Sequence, residues 1–195
     1  MQKREKLTIF AAMSNTFSLW FKIVRPQTLA ASLCPVLVGL AVCGVQKPLT
    51  AVLTALCALA LQIFSNLVND YYDFVRGTDK KGRAGFSRAL AEGLVTKEQM
   101  KSACIAAVAT ALAIGICLVT QGGVPIIAIG ATAILFAWLY TATSHSLSYL
   151  GIADIFVFLY YGVIATAGTV WLQTGTFQGR LSGRAQSAAS SRCAC

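Results

Sequence analysis

Five apolar runs, each close to the length that crosses a hydrocarbon core, leave few folds open to this chain. They extend from about Thr28 to Val45, Leu49 to Val68, Ser102 to Val119, Val124 to Thr141 and Ile152 to Leu172. A spanning helix needs about 20 predominantly apolar residues, and it satisfies its own backbone where water is absent. Small residues recur within the runs, as they do where helices pack closely in lipid. The expected fold is an all-α membrane protein, a multi-helix transmembrane bundle. Ahead of the first run, "FSLWFKIV" mixes aromatic and cationic residues and reads as an interfacial helix, with Pro26 suited to the start of the next one.

The chain is 56% hydrophobic and 12% charged, yet carries a formal net charge of +9, which raises the question of nucleic acid. The placement of the basic residues answers it. Lys3, Arg4, Lys6, Lys22 and Arg25 precede the first run; Arg76, Lys80, Lys81, Arg83, Arg88, Lys97 and Lys101 lie between the second and third. Cytoplasmic ends of membrane helices carry this bias. No nucleic acid is expected; the partner is the lipid bilayer, with the N-terminus and the 70–101 loop cytoplasmic in a bacterial inner membrane. The seven cysteines form no C-x-x-C, and those inside the runs read as small buried hydrophobes.

The chemistry is concentrated in "LQIFSNLVNDYYDFVRGTDKKGRAGFSR". On a helix, Asn66, Asp70 and Asp73 share one face, and Asn69 lies one turn from Asp73. Charges near bilayer depth are costly, about 2.5–3.5 kcal/mol each on insertion scales, so they need a reason to be there. Two neighbouring carboxylates suit a hard divalent cation; Mg²⁺ takes one or two carboxylates and completes its shell with water and substrate phosphates. Gly77 lets the chain turn so that Asp79 can fold back, and Lys80, Lys81, Arg83 and Arg88 are placed to meet phosphate oxygens. The pattern reads as a Mg²⁺–diphosphate site for a lipid-soluble substrate. The plain alternative is a solvated helix end with surface ion pairs of little energetic value.

Three stretches carry a resemblance. "NLVNDYYDFVRGTDKKGRAGFSR" resembles the first aspartate-rich motif of the UbiA superfamily of intramembrane prenyltransferases, in the form N-D-Y-x-D-x-x-x-G-x-D followed by R-x-G-x-x-R. "VRPQTLAAS" is similar to the entry of that family's first helix, and "LYTATSHSLSYLGIADIFVFLYYG" to its fourth-to-fifth helix segment. The Y-x-G-x-x-D within the last favours the branch that prenylates 1,4-dihydroxy-2-naphthoate in menaquinone synthesis. The resemblance implies that Asp70, Asp73 and Asp79 hold Mg²⁺ against a polyprenyl diphosphate, with Asn66, Asn69, Lys80, Arg83 and Arg88 at the diphosphate. It implies an aromatic acceptor, which attacks the allylic cation with loss of the ring carboxylate on the way to demethylmenaquinone. Arg25, Tyr140, Tyr149 and Asp154 are candidates for contacts with acceptor or cation. Tyr161 is a weaker one, and His145, the sole histidine, is weaker still. Each also has a structural reading, as belt aromatic, positive-inside anchor or helix-end acid.

Family members have about nine spanning helices and a second acidic motif, against five runs here. Residues 1–177 are therefore expected to form a partial UbiA-like domain. The tail from Gln178, "QGRLSGRAQSAASSRCAC", is expected to be divergent and disordered, as in an interrupted chain with impaired transfer. A non-enzymatic membrane fragment and a prenyltransferase with another aromatic acceptor are the rival readings. A small transporter is disfavoured because the charges sit at the ends of the runs. The D-x-x-D-G-x-x-A-R pattern of CDP-alcohol phosphotransferases is absent from the sequence.

Overall fold

The computed structural model describes residue 16 and residues 18–77, 89–142 and 158–175. Helix α1 covers 18–24, and a break at Arg25 leads into α2 (Pro26–Cys43). Helices α3 (Pro48–Val75), α4 (Lys97–Gly122) and α5 (Val124–Ala142) follow, and a π-helical turn, Phe158–Ile164, runs directly into α6 (Ala165–Thr174). The described residues form an all-α membrane bundle, in which α2, α3 and α4 are long and apolar enough to cross a membrane. Helix α3 packs against α2, α4 and α5, while α6 lies along α2.

Local chemistry accounts for several of the helix boundaries. Pro26 and Pro48 sit in the first turns of α2 and α3, where a missing N–H costs nothing. A capping box opens α4: Thr96 Oγ1 accepts from Gln99 N at 3.2 Å, and Gln99 Oε1 accepts from Thr96 N at 2.9 Å. Two orphan donors are satisfied there at an exposed helix end. Helix α3 continues beyond the apolar run, which ends near Val68, to Val75, so Asp70 and Asp73 are helical residues, as their spacing requires. Gly77, at φ 69°, then turns the chain out of the helix.

Outward-facing apolar side chains identify the solvent. Leu49, Ile116 and Val124 are 69%, 66% and 75% exposed, a surface that water would penalise and lipid would not. The cysteines divide along the same line. Cys43 is buried, Cys57 and Cys104 are half-buried, and Cys34 and Cys117 are exposed, so the last two face the apolar surroundings rather than the core. Close approach decides the α2–α6 contact: a Cβ on Gly39 would stand 2.8 Å from Thr169 Cβ, so only glycine admits the crossing.

Two apolar clusters hold the ends of the bundle. At one end Ile23, Leu67, Ala89, Leu90, Val95 and Met100 pack together, joining α1, the turn before α4, and the ends of α3 and α4. At the other, Leu118, Ile126 and Leu172 join α4, α5 and α6. Polar groups brace that second end. Gln173, buried, accepts from Gln46 N at 3.0 Å and Lys47 N at 2.8 Å through Oε1 and donates through Nε2 to Lys47 O at 3.2 Å. Lys47 Nζ donates to Leu172 O at 3.2 Å, which puts a cation on the C-terminal carbonyls of α6. Trp171 Nε1 donates to Gly122 O at 2.8 Å, and Thr50 donates to Gln121.

Candidate functional site

Helix α3 sets the site because its last turns leave the apolar span while remaining helical. Gln62, Asn66 and Asp70 recur every fourth residue, so they form a column on one side of the helix, and all three are buried. Asp73, one turn beyond Asp70, is half-buried, as is Asn69. The column faces the junction between α1 and α2.

Arg25 occupies that junction. Its backbone is left-handed, φ 57° and ψ 74°, and among the described residues it is the only non-glycine with positive φ. Such a conformation costs an ordinary residue about 1–2 kcal/mol, so surrounding bonds must hold it. Several do. Arg25 N donates to Lys22 O at 3.2 Å, while Thr28 donates to Arg25 O through both N and Oγ1, each at 2.9 Å. Asn66 Nδ2 donates to Val24 O at 2.9 Å and to Thr28 Oγ1 at 2.8 Å, so it grips the residues on either side of the turn. Gln62 Nε2 in turn donates to Asn66 Oδ1 at 3.1 Å and fixes the orientation of that amide.

The turn delivers the Arg25 side chain to Asp70, where Nη2 donates to Oδ1 in an ion pair. Arg25 is 8% exposed and Asp70 2%, so both charges are desolvated. A buried pair of this kind is weak evidence of stability, since desolvation offsets much of the attraction, but losing either partner strands the other charge. Trp20, Tyr71, Phe74 and Cys104 pack against the neighbouring apolar cluster. Nearer the surface, Arg76 lies over the Tyr72 ring at 5.9 Å and Lys97 over Phe74 at 5.4 Å.

The structure thus brings Asn66, Asp70 and Arg25 together, with Asp73 one turn further along. Asp79, Lys80, Arg83 and Arg88 lie outside the described residues, as do Tyr149, Asp154 and His145. Tyr140 falls within α5, with its side chain outside the description. Among the described residues no group of three His, Cys, Asp or Glu side chains meets to hold a metal ion. The donor set that is described, two carboxylates one turn apart at a helix end, matches what Mg²⁺ accepts from protein when substrate phosphates supply further oxygens. Gln62 and Thr28 were not singled out in the sequence. The signal for Gln62 was there: a polar residue inside an apolar run, one helical turn before Asn66.

Comparison with known proteins follows the same residues. The UbiA prenyltransferase family profile matches residues 32–189, a stretch that runs past Phe177. A 1,4-dihydroxy-2-naphthoate octaprenyltransferase from Escherichia coli is 34% identical over 166 residues, covering 80% of this chain and 54% of the relative. The protein of the same name from Mycobacterium tuberculosis is 33% identical over 161 residues, 81% of this chain and 55% of the relative. A UbiA prenyltransferase domain-containing protein 1 homolog from Drosophila melanogaster is 31% identical over 106 residues, 50% of this chain and 29% of the relative. The chain therefore spans about half the length of the bacterial relatives that it matches. No solved structure matches it.

Proposed function

The chain belongs to the UbiA prenyltransferase family, and from that premise we propose that it takes part in prenyl transfer from a polyprenyl diphosphate to 1,4-dihydroxy-2-naphthoate. The observation that carries the reading is the column on α3, which places a buried carboxylate, Asp70, and a half-buried one, Asp73, at the end of a membrane-spanning helix. The substrate class follows from the setting. A prenyl chain belongs among the apolar helices, and its diphosphate belongs at the acidic helix end, which the basic residues Lys80, Arg83 and Arg88 follow in sequence.

In this reading Asp70, Asp73 and Asp79 hold Mg²⁺, with Asn69 beside them and Asn66 beneath. When bound, the ion disperses the negative charge of the departing diphosphate. Lys80, Arg83 and Arg88 bind the diphosphate oxygens. The allylic C–O bond breaks with its electron pair going to the diphosphate, and the electron-rich ring attacks the carbocation. The ring carboxylate leaves as carbon dioxide, and its bonding pair restores the aromatic ring. The helices keep water from the cation, and Tyr140, Tyr149 and Asp154 stand as contacts for cation or acceptor. The basic residues of the N-terminus and the 70–101 loop support a cytoplasmic side for both, and the bacterial relatives support an inner membrane.

The test is transfer of a radiolabelled polyprenyl group in nanodiscs with Mg²⁺, run beside the Escherichia coli relative and with dihydroxynaphthoate or 4-hydroxybenzoate as acceptor. Product from the naphthoate alone, lost in Asp70→Asn, supports the reading. Equal product from that variant defeats it. For orientation, a cysteine placed next to Lys47 is expected to react with an impermeant reagent added outside, and one at Gly82 to be protected; the reverse pattern inverts the topology.

A further inference from the structure

We propose that Arg25 is a resident counter-ion of Asp70, held in place by Gln62 and Asn66, which keeps free divalent metal off this carboxylate until a diphosphate arrives with it. The inference rests on the reading of Asp70 as a ligand of a metal–diphosphate complex. It makes Gln62 and Asn66 positioning residues.

Three features of the structure support it. First, the guanidinium and the carboxylate are paired within a desolvated site, so a cation approaching Asp70 meets a positive charge already there. Second, the pair is made from an unfavourable backbone. Arg25 reaches Asp70 from a left-handed turn, and an unstrained arginine at a helix start would not need one. Third, that turn is gripped from the acidic helix itself. Asn66 bonds to Val24 and Thr28 on either side of Arg25, and Gln62 fixes the Asn66 amide. The residues that hold the counter-ion and the carboxylate that it covers therefore belong to one helical column.

The physical consequence is an order of binding. A divalent ion alone must share Asp70 with a buried guanidinium, and like charges about 4 Å apart repel strongly at the effective dielectric of a protein. A metal–diphosphate complex brings its own negative charge, which the guanidinium attracts rather than repels. Free metal is thus bound poorly, and the complex bound well, by the same carboxylate.

The experiment uses the full chain in nanodiscs, with Mn²⁺ as a paramagnetic probe titrated without and with inorganic pyrophosphate. Arg25→Gln is expected to bind Mn²⁺ alone about tenfold more tightly than the natural chain. The gain should disappear in Arg25→Gln/Asp70→Asn and shrink when pyrophosphate is present. Unchanged or weaker Mn²⁺ binding by Arg25→Gln overturns the proposal, as does a gain that survives Asp70→Asn. Should Arg25→Gln not fold, Asn66→Ala, titrated with Mn²⁺ in the absence of pyrophosphate, keeps the guanidinium and loosens its turn: a several-fold gain supports the proposal, and no gain overturns it. Asp70→Asn alone separates the two levels. If it binds Mn²⁺ with pyrophosphate as well as the natural chain does, the metal assignment itself falls. If that binding is lost while Arg25→Gln shows no gain, only the counter-ion role falls.

Discussion

The two ends of the bundle both bury polar side chains among apolar ones, and they do so in opposite ways. At one end Gln173 makes three hydrogen bonds to the backbone of Gln46 and Lys47, segments 127 and 126 residues away in sequence. The group is neutral and its bonds are short-range, so a ligand has little to offer it. At the other end Arg25 and Asp70 bring two full charges together across 45 residues of chain. A charged pair can exchange one partner for another ion at modest net cost, because each new partner again compensates the desolvated charge. The amide end is satisfied within the chain, whereas under the proposed counter-ion role the ionic end exchanges a partner.

Asp70→Ala should show the contrast most strongly. It strands the buried Arg25 guanidinium and is expected to cost about 3–5 kcal/mol of stability, read from unfolding in detergent. Partial restoration by the neutral pair Arg25→Gln/Asp70→Asn would sharpen the comparison, and a negligible loss in Asp70→Ala would break it. Next comes Asp70→Asn, which leaves an oxygen for the guanidinium. If Asp70 carries the metal–diphosphate, transfer should fall by about 10²–10³, as for removal of a transition-state electrostatic group. The loss of stability should be smaller than in Asp70→Ala, because the amide oxygen still accepts from the guanidinium. Parallel losses of rate and stability would place Asp70 with Gln173 as bracing.

At the far end the expected pattern is inverted. Gln173→Leu removes the acceptor of two backbone N–H groups and should cost about 1–3 kcal/mol of stability. Pyrophosphate-dependent Mn²⁺ binding should be unchanged in the variant at temperatures where it is folded. A change in that binding would mean that the two ends are coupled and the contrast overdrawn. The smallest effect is expected from Trp171→Phe, which keeps most of the ring and drops the Nε1–H bond to Gly122 O. About 1 kcal/mol should be lost in the same unfolding measurement. A loss several times larger would show that the indole packing, not its hydrogen bond, closes this end.

Legibility followed the range of the interaction. The spacing of Asn66, Asp70 and Asp73 was readable because helical periodicity is local, and α3 does carry all three. The apolar run ends near Val68 because hydropathy stops where polar residues begin, whereas the helix that carries it continues as long as packing supports it. Helix α3 goes on to Val75 with Leu67, Tyr71 and Phe74 at one apolar cluster. The last expected span hid a different irregularity: Phe158–Ile164 winds as a π-helix before α6, and nothing in "FLYYGVI" announces it.

By itself the sequence determined that this chain enters a membrane, which end of the second long helix is acidic, and which family its motifs belong to. These follow from hydropathy, helical period and motif spacing, all readable within a few turns of chain. Only the tertiary structure decided that Arg25 is a buried partner of Asp70 and not a surface anchor, that Asn66 grips a left-handed turn, and that Gln173 closes the far end. Those assignments join residues 42 to 127 positions apart. No local propensity encodes such pairings; they are fixed when the helices dock and each desolvated polar group takes the partner that docking brings within reach.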